Sequence, residues 1–467
     1  MQLDPAPFLI DGAWLPGPVE ALEVRDPRDD ALVGRIPVGG PADVDAAVAG
    51  AVKAAAGWAR TSPGERSGLL KAAARDLRAR IDEIAELQAR EGGKPPGDSR
   101  GGVEAGIGTL EQYAELGQLQ RGKALQGSYD ATDVMRWEPR GVVAVLTPWN
   151  DPVAIALQGL GAALAAGNAV VFKPSERTPL SGGLLAEVLA AHLPPGVLQL
   201  LHGDGRTGAP LAAHPDVDVV YHVGSSTTGA AIRRATAETG AHAVLEGGGK
   251  DACLVDAGVD PAWAAQQVAL GAFANAGQIC VSIERVYVHE AVADAFLDAL
   301  VREAGAFDIG PLVDRRQREV VEDHVGGAVA DGARVLAGGS TPEGAGAWYP
   351  PTVLVGCTDD MTVMREETFG PVAAVRVVPS FDEGLAAAAR SSYGLAATVL
   401  TPSMDHAQRA ARELPVGTVK VNAVFGGAPG GSATPGRGTG QGFGYGPELL
   451  DELSRCKVVH WEAAPTG

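Results

Sequence analysis

The sequence predicts an α/β protein in which helices cover both faces of parallel sheets. Beyond residue 140, apolar runs of strand length alternate with helical segments, and these runs occupy 142–146, 169–172, 197–201 and 217–223. Such alternation is typical of βαβ units and of a parallel sheet. A second set of alternating segments extends from about 248 to 421. Because 467 residues exceed one ordinary core, we expect two or three domains.

Shorter signals flank this alternating region. Residues 8–17 predict a hairpin around Asp11-Gly12, and the Ala-rich stretch 42–60 predicts a helix. Ser62, followed three residues later by Glu65, predicts a capping box at the start of the next helix. The Gly- and Pro-rich residues 92–97 are expected to separate that region from a third helix at 103–116. The last segments are a glycine-rich loop at 426–446, a helix at 448–453 and a strand at 457–461.

Composition and charge exclude several classes of function. The formal net charge is −19, which opposes non-specific binding to nucleic acid or to an anionic membrane. No uncharged apolar run reaches the ~20 residues of a membrane helix, and residues 1–5 do not resemble the start of a signal peptide. The four cysteines are scattered without a CxxC pair. We therefore expect a reduced, cytoplasmic protein and predict no metal site.

Cys280 is the cysteine with the most informative surroundings. A lone cysteine is usually a buried, inert residue. Here, however, several short motifs occur in order around it, and together they resemble the NAD(P)-dependent aldehyde dehydrogenase superfamily from about residue 8 to residue 461. The motifs are Pro148-Trp149-Asn150, Lys173-Pro174-Ser175-Glu176, Gly224-Ser225, Glu246-Gly247-Gly248-Gly249-Lys250, Asn275 to Cys280, and Glu367-Thr368-Phe369-Gly370-Pro371.

The resemblance implies a fold and a division of the chain. It implies a Rossmann-type cofactor domain, a second α/β catalytic domain and a small β element that joins subunits into a homodimer or homotetramer. The cofactor domain would comprise 1–119 and 140–247, and the catalytic domain 248–425. The bridging element would combine 120–139 with 426–467.

The cofactor residues follow from the same resemblance. Gly224-Ser225 follows a predicted strand and opens a predicted helix, where free N–H groups and the helix dipole favour a phosphate. Alone, this pattern also fits an ordinary turn. By resemblance, Ser225 meets the pyrophosphate, Lys173 and Glu176 hold the adenosine ribose, Glu367 holds the nicotinamide ribose and Phe369 packs near the nicotinamide. Since a carboxylate repels a 2′-phosphate, Glu176 favours NAD over NADP.

The catalytic residues implied by the resemblance are Cys280, Asn150 and Glu246. Cys280 would attack an aldehyde, and the Asn150 amide and the backbone N–H of Cys280 would stabilise the oxyanion. Glu246 would activate the water that hydrolyses the thioester. Read singly, Asn150 could be a helix N-cap or a turn residue, and Glu246 a solvated charge before a glycine turn.

The chain also departs from the family pattern in three places. Gly247 replaces the usual leucine, which predicts a more mobile Glu246; Asp151 replaces an aromatic residue; and the family's C-terminal motif is not reproduced over 432–444. Two other functions therefore stay open: a coenzyme A-acylating aldehyde dehydrogenase and a non-catalytic nucleotide-binding member of the fold. The sequence does not indicate which small-molecule aldehyde is the substrate.

Overall fold

The computed structural model describes residues 6–426 and 431–464. Its first elements are β1 (Phe8–Ile10), β2 (Ala13–Leu15), β3 (Ala21–Arg25), β4 (Leu32–Pro37), α1 (Pro41–Arg60), α2 (Pro63–Ala79), α3 (Ile81–Gly92) and α4 (Pro96–Leu116). The next are β5 (Lys123–Leu125), β6 (Ala131–Pro139), β7 (Val142–Leu146), α5 (Pro152–Ala166), β8 (Ala169–Lys173), α6 (Pro179–Ala190), β9 (Leu198–Leu200), α7 (Gly205–Ala212), β10 (Val219–Val223), α8 (Ser226–Thr239) and β11 (His242–Glu246).

The second half of the chain follows the same alternation. It contains β12 (Asp251–Val255), α9 (Pro261–Phe273), a 3₁₀ turn (Ala274–Gly277), β13 (Ile283–His289), α10 (Glu290–Ala306), α11 (Arg315–Ala330), β14 (Arg334–Ala337), β15 (Thr352–Val355), α12 (Thr362–Arg365), β16 (Val372–Val378), α13 (Phe381–Ala388), β17 (Tyr393–Gly394), β18 (Ala396–Leu400), α14 (Met404–Glu413) and β19 (Thr418–Val421). The last elements are β20 (Gly436–Arg437), β21 (Gly440–Gln441), α15 (Glu448–Glu452) and β22 (Ser454–Glu462).

The first sheet has eight strands in the order β2-β1-β9-β8-β7-β10-β11-β21. Its centre, β9 to β11, is parallel, whereas β1 and β21 add to its edges in the antiparallel sense. Alternate residues of β7 enter different cores: Val143 and Val145 pack with helices α2 to α6, and Val142 and Ala144 pack with α1, α7 and α8. The predicted parallel sheet with helices on both faces is therefore confirmed.

A second sheet has seven strands in the order β14-β15-β16-β13-β12-β18-β19, and only its edge strand β14 is antiparallel. A third, antiparallel sheet joins β22, β6 and β5. The tail contributes to more than one sheet, because β20 pairs with β17, β21 with β11 and β22 with β6. The three-unit division stays a prediction, and residues 1–5, 427–430 and 465–467 of it lie outside the described part.

The observed ends of the helices and strands show which elements could be predicted from short sequence signals. The hairpin pairs Phe8 with Leu15, and the Ser62–Glu65 capping box is present. Helix α4 begins at Pro96 rather than 103, because proline is compatible with the first turn of a helix. Helix α7 was not predicted, since two glycines and Pro210 interrupt its pattern. Within the described ranges, no helix combines the length and apolarity that a bilayer-spanning segment needs.

Candidate active site

A cavity of about 530 Å³ lies where strands β7, β8 and β10 end. The carboxyl ends of parallel strands are the usual place for a ligand in such sheets. Eight of the nine predicted site residues line this cavity: Asn150, Lys173, Glu176, Gly224, Ser225, Cys280, Glu367 and Phe369. The ninth residue, Glu246, does not line the cavity, but Gly247 and Gly248, which follow it in the chain, do.

Cys280 follows a left-handed turn at the end of α9. Asn275, Ala276 and Gly277 have φ values of 51°, 54° and 71°, which is costly for an alanine and must be compensated by surrounding contacts. A Cβ atom on Gly277 would collide with the carbonyl oxygen of Gly370, so the turn packs tightly against the loop that follows Phe369. The strained turn thereby fixes the backbone that presents the thiol to the cavity.

The amide of Asn150 contacts the same turn. Asn150 is 8% exposed, and its Nδ2 donates a hydrogen bond to the carbonyl oxygen of Gln278 at 3.0 Å. Asn275 Nδ2 donates to the carbonyls of Asn150 and Gln278, at 3.3 and 3.1 Å. These bonds lock the two segments together beside Cys280. Asn150 is not a helix N-cap, since Asp151 occupies that position.

Asp151 forms an ion pair instead of a side-chain cap. Its Oδ1 accepts from Lys94 Nζ at 3.0 Å, and the Lys94 side chain is largely buried. Helix α4 approaches this carboxylate at Gly102, where a Cβ atom would lie 2.7 Å from Oδ1. The replacement of an aromatic residue by Asp151 is thus accompanied by a neighbouring cation.

Glu246 lies at the end of β11, turned towards the C-terminal tail. Its Oε1 accepts a hydrogen bond from the backbone N–H of Gly444 at 3.1 Å. Burial raises the pKa of Glu246 to about 7, and the Gly444 hydrogen bond opposes this rise. Burial also raises the pKa of Cys280 to about 12, and the charge of Glu246 contributes to that rise. The carboxyl is therefore not the solvated surface charge that its sequence alone allowed.

Gly247 is explained by close packing of the tail. Its N–H donates to the carbonyl of Thr439 at 2.6 Å, and a Cβ atom at this position would collide with that same oxygen. The greater mobility expected from the glycine is opposed by this contact. The glycine permits the tail to lie directly on the residue after Glu246.

Lys173 and the turn at Ser225 form the far part of the cavity. Lys173 Nζ donates to the carbonyls of Pro174 and Gly203, at 3.0 and 2.7 Å, and burial lowers the pKa of its ammonium group. Ser225 is the N-cap of α8, and its Oγ accepts from the N–H of Thr228 at 3.2 Å. The cavity thus combines a buried cation, the carboxylate of Glu176 and a helix N-terminus.

A buried ion pair that the motifs did not reveal holds the loop at Glu367 and Phe369. Glu284 accepts from the N–H groups of Thr368 and Phe369, at 2.8 and 2.9 Å, and it pairs with Lys250. Lys250 lies in one predicted motif and Glu284 just after Cys280, but nothing in their spacing showed that they meet. Phe369 adopts a φ of 51° and packs edge-on against Trp149 at 5.2 Å.

The Glu367 side chain is held by the backbone of residues 248 and 249. Its carboxylate accepts from the N–H of Gly249 at 2.9 Å, and a Cβ atom on Gly248 would collide with it. Burial, with the charge of Glu284, raises the pKa of Glu367 to about 8. Gly248 therefore allows the carboxylate to approach the segment that follows Glu246, and Gly249 supplies the hydrogen bond.

Comparison with known proteins identifies this architecture. The model of the aldehyde dehydrogenase family matches residues 14–459. The chain is 37% identical over 428 residues to 2-hydroxymuconic semialdehyde dehydrogenase of Pseudomonas putida, with 85% of this chain and 87% of the relative covered. Lactaldehyde dehydrogenase from Escherichia coli has a TM-score of 0.95 and 31% identity, over 98% of this chain and 99% of that one. Indole-3-acetaldehyde dehydrogenase complexed with NAD⁺ has a TM-score of 0.95 and 30% identity, over 99% and 97% of the two chains. The chain therefore belongs to the aldehyde dehydrogenase family, and it is an enzyme that oxidises aldehydes with a nicotinamide cofactor.

Proposed function

We propose that this enzyme oxidises an aldehyde to a carboxylic acid with NAD, through a thiohemiacetal and a thioester on Cys280. The observation that carries the proposal is the meeting of a thiol and an amide at one turn, with a buried carboxyl whose charge acts on the thiol. Cys280 and Asn150 line the cavity, and Asn150 is hydrogen-bonded to Asn275 and Gln278, whereas Glu246 is hydrogen-bonded to Gly444.

Cys280 supplies the nucleophile. Its sulfur forms a bond to the carbonyl carbon, and the carbonyl oxygen becomes an oxyanion. Because burial raises the thiol pKa to about 12, the thiol proton must leave to water as the sulfur attacks. The charge of Glu246 adds to this rise, so its removal does not oppose the attack, and its own pKa of about 7 suits proton transfer from water near neutral pH.

Asn150 stabilises the oxyanion, and Glu246 acts as the general base for water. One N–H of the Asn150 amide donates to the Gln278 carbonyl, which leaves the second N–H for the oxyanion. When bound, the nicotinamide cofactor supplies the hydride acceptor for the oxidation. Glu246 then takes a proton from water, whose oxygen attacks the thioester carbon, and Cys280 leaves as the thiolate.

The cavity fits a dinucleotide with free ribose hydroxyls. The N-terminus of α8 at Ser225 suits the pyrophosphate, and the carboxylates of Glu176 and Glu367 suit the two riboses. Glu176 lies at the same cavity wall as Lys173 and disfavours an added phosphate. We therefore propose NAD rather than NADP, with Phe369 beside the nicotinamide.

The test is NADH formation against a panel of simple aldehydes, with wild type beside Cys280→Ala and Glu246→Gln. We expect no turnover in Cys280→Ala, and in Glu246→Gln a first NADH burst without sustained turnover. Cys456→Ala, an exposed cysteine in β22, is the matched control and should leave turnover unchanged. Sustained turnover by Glu246→Gln would contradict its assignment as the base. A requirement for coenzyme A would establish the acylating alternative, and NAD binding without turnover of any aldehyde would establish the non-catalytic one.

We also propose that the three-stranded sheet joins subunits into a homodimer or homotetramer. Its strands β5 and β22 expose apolar side chains, among them Val458 and Trp461 at 60% and 55%. Light scattering after size exclusion should show an oligomer in the wild type and smaller particles in Trp461→Glu. An unchanged mass would contradict this role of β22.

A further inference from the structure

The C-terminal tail lies directly against the proposed base. The N–H of Gly444 donates to Glu246 Oε1 at 3.1 Å. A Cβ atom at position 444 would collide with the Glu246 side chain, so only glycine allows this approach. The orientation of the carboxyl therefore depends on where the Gly444 backbone is held.

The side chains of Gln158 and Tyr221 bind the carbonyl group of Gly444. Gln158 Nε2 donates to the carbonyl oxygen of Gly444, and the Tyr221 hydroxyl donates to it at 3.3 Å. Gln158 Nε2 also donates to the Tyr221 hydroxyl at 2.9 Å, so the three groups form a closed cluster. Gly159 makes room for the Tyr221 ring, because a Cβ atom there would lie 2.7 Å from Cε1.

This cluster is anchored in rigid elements, whereas Gly444 lies in the irregular segment between β21 and α15. Gln158 belongs to α5, and Tyr221 is fully buried in the central strand β10. Gly444 lies between Gly442 and Gly446, in a segment whose backbone is intrinsically permissive. Contacts from outside the segment must therefore define its position, and those to the Gly444 carbonyl are the ones nearest to Glu246.

We propose that Gln158 and Tyr221 are positioning residues for Glu246, which they orient through Gly444 without touching the reacting atoms. The proposal rests on the proposed function, because it concerns the thioester hydrolysis assigned to Glu246. When either contact is lost, Gly444 and the carboxyl become mobile. Hydrolysis then slows while formation of the thioester continues.

The test measures the acyl-enzyme directly, with NAD and propanal, by rapid acid quench and intact-protein mass spectrometry. In Tyr221→Phe and Gln158→Met we expect hydrolysis of the adduct to slow by about tenfold, since a small misplacement of a catalytic group has effects of this size or larger. Tyr113→Phe is the matched control: its hydroxyl is also buried and donates to the same tail, but at Gly446, at 3.2 Å.

Added hydroxylamine distinguishes positioning from a general structural defect. Its nitrogen attacks the thioester carbon without needing Glu246, a hydroxamate forms, and Cys280 leaves as the thiolate. Added after the adduct has formed and the propanal has been consumed, hydroxylamine should release the adduct from the two variants as fast as from the wild type, which a damaged site would not allow. If Glu246→Gln accumulates no adduct, the proposed function fails. If Glu246→Gln accumulates it but the two variants behave like Tyr113→Phe, the positioning role alone is overturned.

Discussion

The pH dependence of turnover tests the environment of Glu246 most directly. A general base acts only as the carboxylate, and burial raises the pKa of Glu246 from 4.5 to about 7. The carboxylate is therefore lost as the pH falls through 7. With this pKa, about ten-elevenths of Glu246 is ionised at pH 8 and about one-eleventh at pH 6. Where base catalysis limits the rate, turnover should fall by about tenfold between these values.

An ordinary glutamate would give a different profile. With a pKa of 4.5 the ionised fraction changes by only about 3% over the same interval. Cys280 and Tyr221, on which the charge of Glu246 acts, do not interfere, because burial raises the pKa of each further above this range. Glu367, whose pKa is raised to about 8, titrates in the same interval, and its contribution should persist in Glu246→Gln.

The assay is steady-state NADH formation from pH 5.5 to 9, with stopped-flow measurement of the first turnover. Glu246→Gln provides the control, since its residual rate should lack the limb near pH 7. A flat wild-type profile between pH 6 and 8 would refute the reasoning. So would a limb that persists unchanged in the variant.

Three further predictions concern the framework of the site. Glu284→Gln leaves the buried Lys250 without its charged partner, so chemical denaturation should show a free energy of unfolding lower by about 3 kcal/mol, with weaker NAD binding from the loosened Phe369 loop. Gly277→Ala collides with Gly370 and should abolish turnover, whereas Gly57→Ala, in open space on α1, should stabilise the fold by about 0.5–1 kcal/mol in the same denaturation experiment. Trp58→Ala removes a fully buried ring whose N–H donates to Leu164, and it should cost about 3–5 kcal/mol without changing the cofactor preference of the residual activity.

The fold could be predicted where one short run of residues determines one element. The strand at 142–146 coincides with β7, and the strand at 169–172 differs from β8 by one residue, because both are continuous apolar runs buried on two faces. Helix α7 could not be predicted in the same way. Its capping residue Asp204 precedes a segment with weak helix formers, so the helix depends on packing against α1, α8 and β7.

The active site could also be predicted only in part from short sequence motifs. The motifs indicated the residues that line the cavity, because four of them follow strands β7, β8, β10 and β11, which end at the same edge of the first sheet, and the other two follow helices α9 and α12. They did not indicate the left-handed conformation of Ala276, since alanine carries no local preference for it. The contact between Glu246 and Gly444 was also invisible, because a backbone N–H has no signature in the sequence and the residues are 198 positions apart.

The pairing of the tail with three strands from earlier in the chain has a consequence for folding of the protein. β20, β21 and β22 each complete a sheet that began much earlier in the chain, and Gly444 reaches the base only from this last segment. A chain in which the residues after β19 have not yet docked lacks the final sheet edges, three leucines of the first core and the contact to Glu246. Such long-range contacts form late in folding. The hydrolysis step proposed for Glu246 therefore requires that residues 440–444 have first docked against the first sheet.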